Sequence, residues 1–174
     1  MKLVSGPSRM VLLAKGDKKY LLIGDLHGQL QDLFSIFAIN GLPSRTNWYL
    51  FNGDFVDRGS RGIEILCCIF GFKLLYPGCV HFNRGNHESR NQNSWMGFEE
   101  EVKEKYEGEA SASIGGGENR GGRLLELAHN IFDALPLAAL VEKKIFVVHG
   151  GLSARCGITL AHIKSIKRKR EPPL

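Results

Sequence analysis

A short apolar run, followed by a glycine-containing turn and a helical pattern, occurs repeatedly along this chain. Residues 20–23 form the first run, and Gly24 ends it. Apolar side chains then recur at the three- and four-residue spacing of one helix face, which Asn40 and Gly41 close. These side chains are Leu30, Leu33, Phe34, Phe37 and Ala38. Strands that alternate with helices in this way predict an α/β domain.

The same order continues further along the chain. "WYLF" predicts a second strand, and residues 63–75 predict a mostly apolar helix that stops before Pro77. "CVHF" predicts a third strand, and "GFEEEVKEKY" predicts an acidic helix. "LAALV" and "IFVV" on either side of "EKK" predict a hairpin. We predict a final helix over residues 160–169, which ends before Pro172 and Pro173.

The domain organisation follows from length and composition. A chain of 174 residues that is 43% hydrophobic predicts one globular domain with a sizeable core. We divide it into an N-terminal extension, residues 1–18, and a domain, residues 19–174. Residues 107–122 are rich in glycine and small polar residues, and we expect them to form a flexible insertion.

The bulk properties also restrict the setting. None of the four cysteines forms a C-x-x-C pair, which favours a reducing compartment. No apolar stretch approaches the ~20 residues of a membrane span, and nothing resembles a signal peptide. We therefore expect a soluble, cytoplasmic protein without membrane contact. The sequence "KRKR" could act as a nuclear import signal, but a solvent-facing helix explains it better. A net charge of +5 is weak support for nucleic acid binding, and we do not expect it.

Polar side chains follow four of the predicted strands directly. Each alone has a structural explanation, because an aspartate can cap a helix and a histidine can be a hydrogen-bonded core residue. Together, however, strand ends of one sheet would bring them to one edge, where uncompensated charge is costly. A metal centre is therefore the better interpretation. The residues are Asp25 with His27, Asp54 with Asp57, Asn86 with His87, and His149.

The chemistry of this set indicates the kind of metal. Carboxylate, imidazole and amide ligands without cysteine favour Mn, Fe or Zn over softer ions. Two such divalent or trivalent ions, about 3.5–4 Å apart and sharing a carboxylate, would form a phosphoester-hydrolysing site. Asp54 is the natural bridge, because it is central in the chain order of the ligands.

The motifs "GDLHG", "GDFVDRG", "GNHE" and "HGG" occur in this order at residues 24–28, 53–59, 85–88 and 149–151. In order and spacing they closely resemble the signature of the PPP-type serine/threonine protein phosphatases, which are calcineurin-like metallophosphoesterases. The text around them is most similar to the branch that bears EF-hands or TPR repeats. The resemblance extends from about Tyr20 to Pro173. It implies a central β-sandwich flanked by helices, in an α/β/β/α arrangement.

The resemblance also implies a reaction. Phosphoserine and phosphothreonine in proteins would be hydrolysed by a dinuclear metal centre that activates water for in-line attack. Asp25 and His27 would hold one metal, Asp54 would bridge, and Asn86 and His149 would hold the other. His87, paired with Asp57, would be the general acid. Arg58 and Asn86 would bind the substrate phosphate, and for Arg84 phosphate binding and a structural ion pair are equal alternatives. Phosphoprotein substrates and regulatory subunits or domains are the implied partners.

The chain departs from the family pattern at its C-terminal side. After "HGG" the family has a further metal-binding histidine, a second phosphate-binding arginine and the strands that complete the sandwich. We therefore expect an incomplete domain with a weaker second metal site. His162 lies outside any matching motif and is not assigned. Two alternatives remain: a phosphodiesterase or nucleotidase of the same fold, and a weakly active or inactive fragment that binds metal or a partner.

Overall fold

The computed structural model describes residues 2–5, 10–106 and 120–173. A five-stranded sheet organises them, and the order of its strands along the sheet is that of the chain. Its strands are β1 (Lys2–Ser5), β2 (Met10–Lys15), β3 (Lys18–Ile23), β4 (Asn47–Phe51) and β5 (Val80–Phe82). β1, β2 and β3 pair antiparallel, whereas β3, β4 and β5 pair parallel. The three parallel strands therefore end at one edge.

Six helices join and follow the strands of the described residues. They are α1 (Leu30–Asn40), α2 (Gly62–Leu75), α3 (Arg90–Met96), α4 (Phe98–Tyr106), α5 (Arg120–Ala134) and α6 (Leu160–Lys164). The predicted mixed α/β fold is confirmed, with α1 and α2 as the crossovers of the parallel strands. Among the described residues, every helix is too short or too polar to cross a bilayer.

The parallel strands and their helices enclose the core. Phe51 of β4 is fully buried, and its ring stacks between Tyr49 and Phe82 at centroid distances of 5.8 and 5.7 Å. The apolar residues of α1 and α2 cover this layer, with Leu33 and Ile65 fully buried. Burying each such side chain stabilises the fold by about 1.5–3 kcal/mol, so the strand ends rest on a rigid base.

A separate hairpin carries the last of the four loops. β6 (Ala138–Val141) and β7 (Ile145–Val148) form a two-stranded antiparallel sheet of their own. The prediction that all four loops follow strands of one sheet is therefore wrong for His149. Amide groups bring the hairpin to the same edge, since Asn52 donates to the carbonyl of Val148 at 3.3 Å and Asn83 to that of Val147 at 3.2 Å.

Two predicted boundaries differ from the structure. Residues 1–18, which we separated as an extension, supply β1 and β2 of the main sheet. The final helix ends at Lys164 rather than near residue 169. The hydroxyl of Ser165 donates to the carbonyl of His162 and competes with the helical pattern, and Arg168 then reaches the carbonyl of Ala134.

The predicted glycine-rich insertion lies mostly outside the described residues. Of its span, residues 107–119 are not described. The remaining three residues, 120–122, belong to the first turn of α5 and are helical.

Candidate metal centre and active site

The loops after β4 and β5 touch so closely that only glycine fits between them. A Cβ atom on Gly85 would lie 2.2 Å from Oδ1 of Asp54 and 2.5 Å from its backbone nitrogen. A Cβ atom on Gly53 would lie 2.4 Å from the backbone nitrogen of Gly85 and 3.0 Å from Nδ1 of His149. The two glycines therefore allow three loops to bring their polar side chains together.

One group of side chains that could hold a metal ion is formed by Asp25, Asp54 and His149. Nε2 of His149 lies 3.4 Å from Oδ2 of Asp54 and 2.9 Å from Oδ1 of Asn86. Asp54 is buried, whereas Asp25 and Asn86 are exposed. This group is thus open to solvent on one side and closed by the loops on the other.

A second such group is formed by His27, Asp54 and His87, all of them buried. Nε2 of His27 lies 3.6 Å from Oδ2 of Asp54 and 4.0 Å from Oδ2 of Asp25. The rings of His27 and His87 meet edge to face at 4.7 Å between centroids. Asp54 is common to both groups, as expected of a bridging ligand. Asp25 is grouped with His149 and not with His27, so the division of ligands between two ions stays a prediction.

Backbone carbonyls orient two of the imidazoles. Nδ1 of His27 lies 2.9 Å from the carbonyl of Val56, and Nδ1 of His149 lies 2.7 Å from the carbonyl of Asn52. A carbonyl can only accept, so each Nδ1 carries the proton that it donates. This leaves Nε2 to face Asp54 in both rings, the arrangement in which metal-binding histidines are usually held.

A protonated His149 compensates the charge of the neighbouring carboxylate of Asp54. Its hydrogen bond and charge interaction with Asp54 raise the pKa of His149 to about 9. Burial acts to raise the pKa of Asp54, but the bonds from His149 and from the backbone N–H of His87 outweigh it, so this pKa lies below its usual value. The site thus favours a positive charge between Asp54, Asn86 and His149, which a metal ion would supply in place of the proton.

His87 and Asp57 form the predicted pair. Nδ1 of His87 lies 2.8 Å from Oδ2 of Asp57, and both side chains are buried, with exposures of 2% and 0%. Asp57 also accepts from the backbone N–H of Phe98 at 3.0 Å and from Nδ2 of Asn93 at 2.9 Å. The carboxylate is therefore fixed on three sides and holds the imidazole in one orientation.

Backbone strain is concentrated in these loops. Four non-glycine residues of the site have left-handed φ angles, a conformation that costs free energy and that surrounding contacts must enforce. They are His27 (43°), Asp54 (55°), Asp57 (69°) and Arg58 (65°).

Arg58 and Arg84 differ in environment. Arg58 is exposed, its Nη2 lies 3.5 Å from Nε2 of His87, and it borders a cavity of about 510 Å³. Arg84 is buried, and its guanidinium donates to the carbonyls of Glu88 and Arg170, both at 2.8 Å, and to Asp133 at 2.9 Å. The contacts of Arg84 therefore favour the structural ion pair over phosphate binding.

Sequence reasoning missed two buried residues that support the site. Glu88 accepts three backbone N–H groups, from Asp54 at 2.7 Å, Gly85 at 2.8 Å and Phe55 at 2.9 Å. Burial raises the pKa of Glu88 to about 7, although these three bonds favour its charged form. Asn93 bonds to Asp57. Glu88 stands in the quoted "GNHE" motif and could have been found there, but no sequence signal marks Asn93.

The donor set fits a metal centre. Oxygens of Asp25, Asp54 and Asn86 and nitrogens of His27 and His149 face a common region, and none of these ligands is a thiolate. Such a set suits Mn, Fe or Zn better than a soft ion. The orientation of both rings by carbonyls supports the same conclusion.

Comparison with known proteins agrees with this geometry. The model of the calcineurin-like phosphoesterase family matches residues 18–174. The chain belongs to this family. Human serine/threonine-protein phosphatase 5 is 47% identical over 159 residues, 91% of this chain and 29% of the relative. Phosphatase T of Schizosaccharomyces pombe is 41% identical over 168 residues, 95% and 33% of the two chains. A mouse serine/threonine-protein phosphatase with EF-hands 2 is 46% identical over 137 residues, 79% and 17%.

A solved structure agrees as well. It is a protein serine/threonine phosphatase from Saccharomyces cerevisiae with similarity to human phosphatase PP5, and it superimposes with a TM-score of 0.81 at 39% identity. The match covers 90% of this chain and 45% of that one. The family resemblance and the fold class predicted from the motifs are confirmed. The chain spans about a third or less of the length of these curated relatives.

Proposed function

We propose that this site hydrolyses phosphoserine and phosphothreonine in proteins with the help of two metal ions. The observation that carries the proposal is Asp54, which belongs to two ligand groups beside the buried His87–Asp57 pair. When bound, the metal ions polarise the phosphoryl group and activate the attacking water. The donor set favours Mn, Fe or Zn for both positions.

His87 is the general acid in this proposal. The oxygen of serine or threonine leaves as a strongly basic alkoxide, so it needs a proton as the P–O bond breaks. Asp57 fixes the orientation of the imidazole through the 2.8 Å bond to Nδ1. Nε2 is then the atom that delivers the proton.

Arg58 and Asn86 bind the phosphate. The guanidinium of Arg58 is exposed and lies within 3.5 Å of His87, so it can pair with two phosphate oxygens while His87 faces the leaving group. The side-chain amide of Asn86 has a carbonyl oxygen directed at His149, which leaves its NH₂ group to donate to the substrate. Phosphoproteins, with regulatory subunits or domains, are the proposed partners.

The test uses the purified chain, loaded with manganese, and two substrates: a phosphoserine peptide and an aryl phosphate. We expect metal-dependent release of phosphate from both. His87→Asn should reduce peptide turnover by about 10²–10⁴-fold, the usual contribution of general acid catalysis, while metal content stays near that of the unchanged chain. His81→Asn is the matched control, because His81 is exposed and its ring bonds to the carbonyl of Gly78, outside both ligand groups.

A folded, metal-loaded chain without turnover of either substrate would refute the proposal for this chain. Faster hydrolysis of a cyclic nucleotide than of the phosphopeptide would instead favour a phosphodiesterase of the same fold.

A second candidate function is a catalytically weak protein that binds metal or a partner. Apolar side chains exposed on and after the hairpin favour it, since Leu152 is 82% and Leu140 44% exposed. Metal stoichiometry separates the two candidates. One tightly bound ion per chain, with turnover near background, supports the weak binder, whereas two ions with turnover support the phosphatase.

A further inference from the structure

A line of buried hydrogen bonds connects helix α5 to the His87–Asp57 pair. Nε2 of His129 lies 3.1 Å from Oδ1 of Asn93, and Nδ2 of Asn93 donates to Oδ2 of Asp57 at 2.9 Å. The same Nδ2 donates to the carbonyl of His87 at 2.8 Å. His129 is 7% exposed and Asn93 is 1% exposed, so water does not compete strongly for these bonds.

The acceptors around Asn93 determine the direction of every bond. A carboxylate and a carbonyl can only accept, so both hydrogens of the Asn93 amide are used by Asp57 and His87. Oδ1 of Asn93 can then only accept, and Nε2 of His129 must carry the proton of the 3.1 Å bond. Burial lowers the pKa of His129, which favours the neutral ring with a single N–H.

This N–H prevents the amide of Asn93 from turning over. Rotation by 180° would direct Oδ1 at the carboxylate of Asp57 and the NH₂ group at the N–H of His129. The first contact would join two acceptors and the second two donors, and both are unfavourable in a buried site. Without the donor from His129, only the contacts with Asp57 and with the carbonyl of His87 would oppose the turned amide.

We propose that His129 is a positioning residue of the phosphatase site, which locks the Asn93 amide and thereby the orientation of Asp57 and His87. The inference rests on the proposed function, in which His87 protonates the leaving group. His129 does not touch the substrate in this proposal and acts only through Asn93. Its distance along the chain, 36 residues from Asn93, means that α5 must be packed before the catalytic pair is fixed.

The expected defect depends on the leaving group. A serine alkoxide needs the proton from a well-oriented His87, whereas an aryl oxide with a low pKa leaves almost without it. Loss of the His129 donor should therefore lower kcat for a phosphoserine peptide by about tenfold, the lower end of the effect of an orienting partner. The rate with 4-nitrophenyl phosphate should change by less than about threefold, and KM for the peptide by less than about twofold.

Two variants distinguish the hydrogen bond from packing. His129→Leu fills most of the site without a donor, and His129→Gln offers an amide N–H at a similar reach. We expect the Leu variant to show the selective defect and the Gln variant to regain most of the peptide rate. His81→Gln is the matched control, because His81 is the exposed residue of β5, and it should leave both rates unchanged. Equal loss on both substrates, or no rescue by Gln, would overturn the proposal.

A measurement without turnover keeps the proposal separate from the proposed function. In the metal-free chain, ring ¹⁵N chemical shifts should show His129 as the Nε2–H tautomer, with a slowly exchanging Hε2. The Hδ1 proton of His87 should be visible in the unchanged chain and the Gln variant, and broadened in the Leu variant. If His129 carries its proton on Nδ1, or if His87 Hδ1 is unaffected by the Leu variant, the positioning role is refuted, whether or not the chain is active. If the Leu variant does not fold, the proposal is tested by the tautomer of His129 in the unchanged chain and by the His87 Hδ1 signal of the Gln variant.

Discussion

Substituting Gly85 by alanine tests how closely the two central loops must approach. The φ angle of Gly85 lies outside the left-handed range, so alanine meets no backbone penalty there and the effect is purely steric. Its Cβ would lie 2.2 Å from Oδ1 of Asp54, where ordinary contact starts at 3.4 Å. The loops after β4 and β5 must therefore separate by roughly 1 Å at this point.

The cost of this separation follows from the bonds it strains. Overpacking costs about 1–3 kcal/mol, and the weakened bonds from Asp54 N–H to Glu88 and from His87 N–H to Asp54 add about 1–3 kcal/mol. We expect Gly85→Ala to lower the free energy of unfolding by about 3 kcal/mol, or Tm by about 9 °C. Because Asp54 is common to both candidate ligand groups, metal affinity should fall by about 10–100-fold.

The assays are chemical denaturation of the metal-free chain and calorimetric titration with Mn²⁺. Gly78→Ala is the matched control, because no atom lies within 4 Å of its added Cβ, and it should stay within about 0.5 kcal/mol of the unchanged chain. A Gly85→Ala variant that unfolds like this control and binds Mn²⁺ with unchanged affinity would show that the loops do not pack as described.

Three further predictions concern charge. Arg84→Met should lower the free energy of unfolding by about 3 kcal/mol, because it breaks the buried ion pair between Arg84 and Asp133. The affinity for Mn²⁺ should stay almost unchanged. A selective loss of substrate affinity would instead support phosphate binding by Arg84. Asp54→Asn should weaken both proposed metal sites together in a titration, and the loss of only one ion would contradict the position of Asp54 in both ligand groups. Because the pKa of His149 is raised to about 9, a metal ion must displace a proton from this residue below that pH. The apparent metal affinity should therefore rise by up to about tenfold per pH unit between pH 7 and 9. Calorimetry in buffers of different ionisation enthalpy should detect the released proton, and an affinity that does not change with pH would contradict the prediction.

The parts of the fold that local pattern determines could be predicted from sequence. β3, β4 and β5 are buried runs, and α1 closes at Gly41, whose φ is 80°, as its capping sequence indicated. The sequence does not mark β1 and β2 as strands of the sheet. These two short strands gain their stability from pairing, β1 with β2 and β2 with β3, rather than from a sequence pattern of their own. The end of α6 was misplaced for the same kind of reason, since contacts at Ala134 and α3 direct the chain after Ser165.

The residues of the candidate site also differ in whether the sequence alone marks them. Asp25, Asp54 and His149 stand out because charged residues at strand ends are costly without a counter-charge. Asn93 and His129 do not stand out, because each acts through a hydrogen bond to a residue 36 positions away along the chain. Asn93 bonds to Asp57, and His129 bonds to Asn93. The two alternatives for Arg84 could not be separated from sequence, since an arginine beside a motif can face either the substrate or the core.

Backbone contacts within the protein hold the candidate ligands in place. Glu88 ties the loops after β4 and β5 through three N–H groups, and carbonyls of Val56 and Asn52 fix the rings of His27 and His149. None of these bonds uses an atom that faces the metal region. Removal of metal should consequently cost the chain binding energy but not its fold, because the strained loops are fixed by Glu88 and by the packed strand ends. It follows that the affinity for metal can be altered with little effect on stability through Asp25 and Asn86, which are exposed, whereas a change at Gly85 alters both.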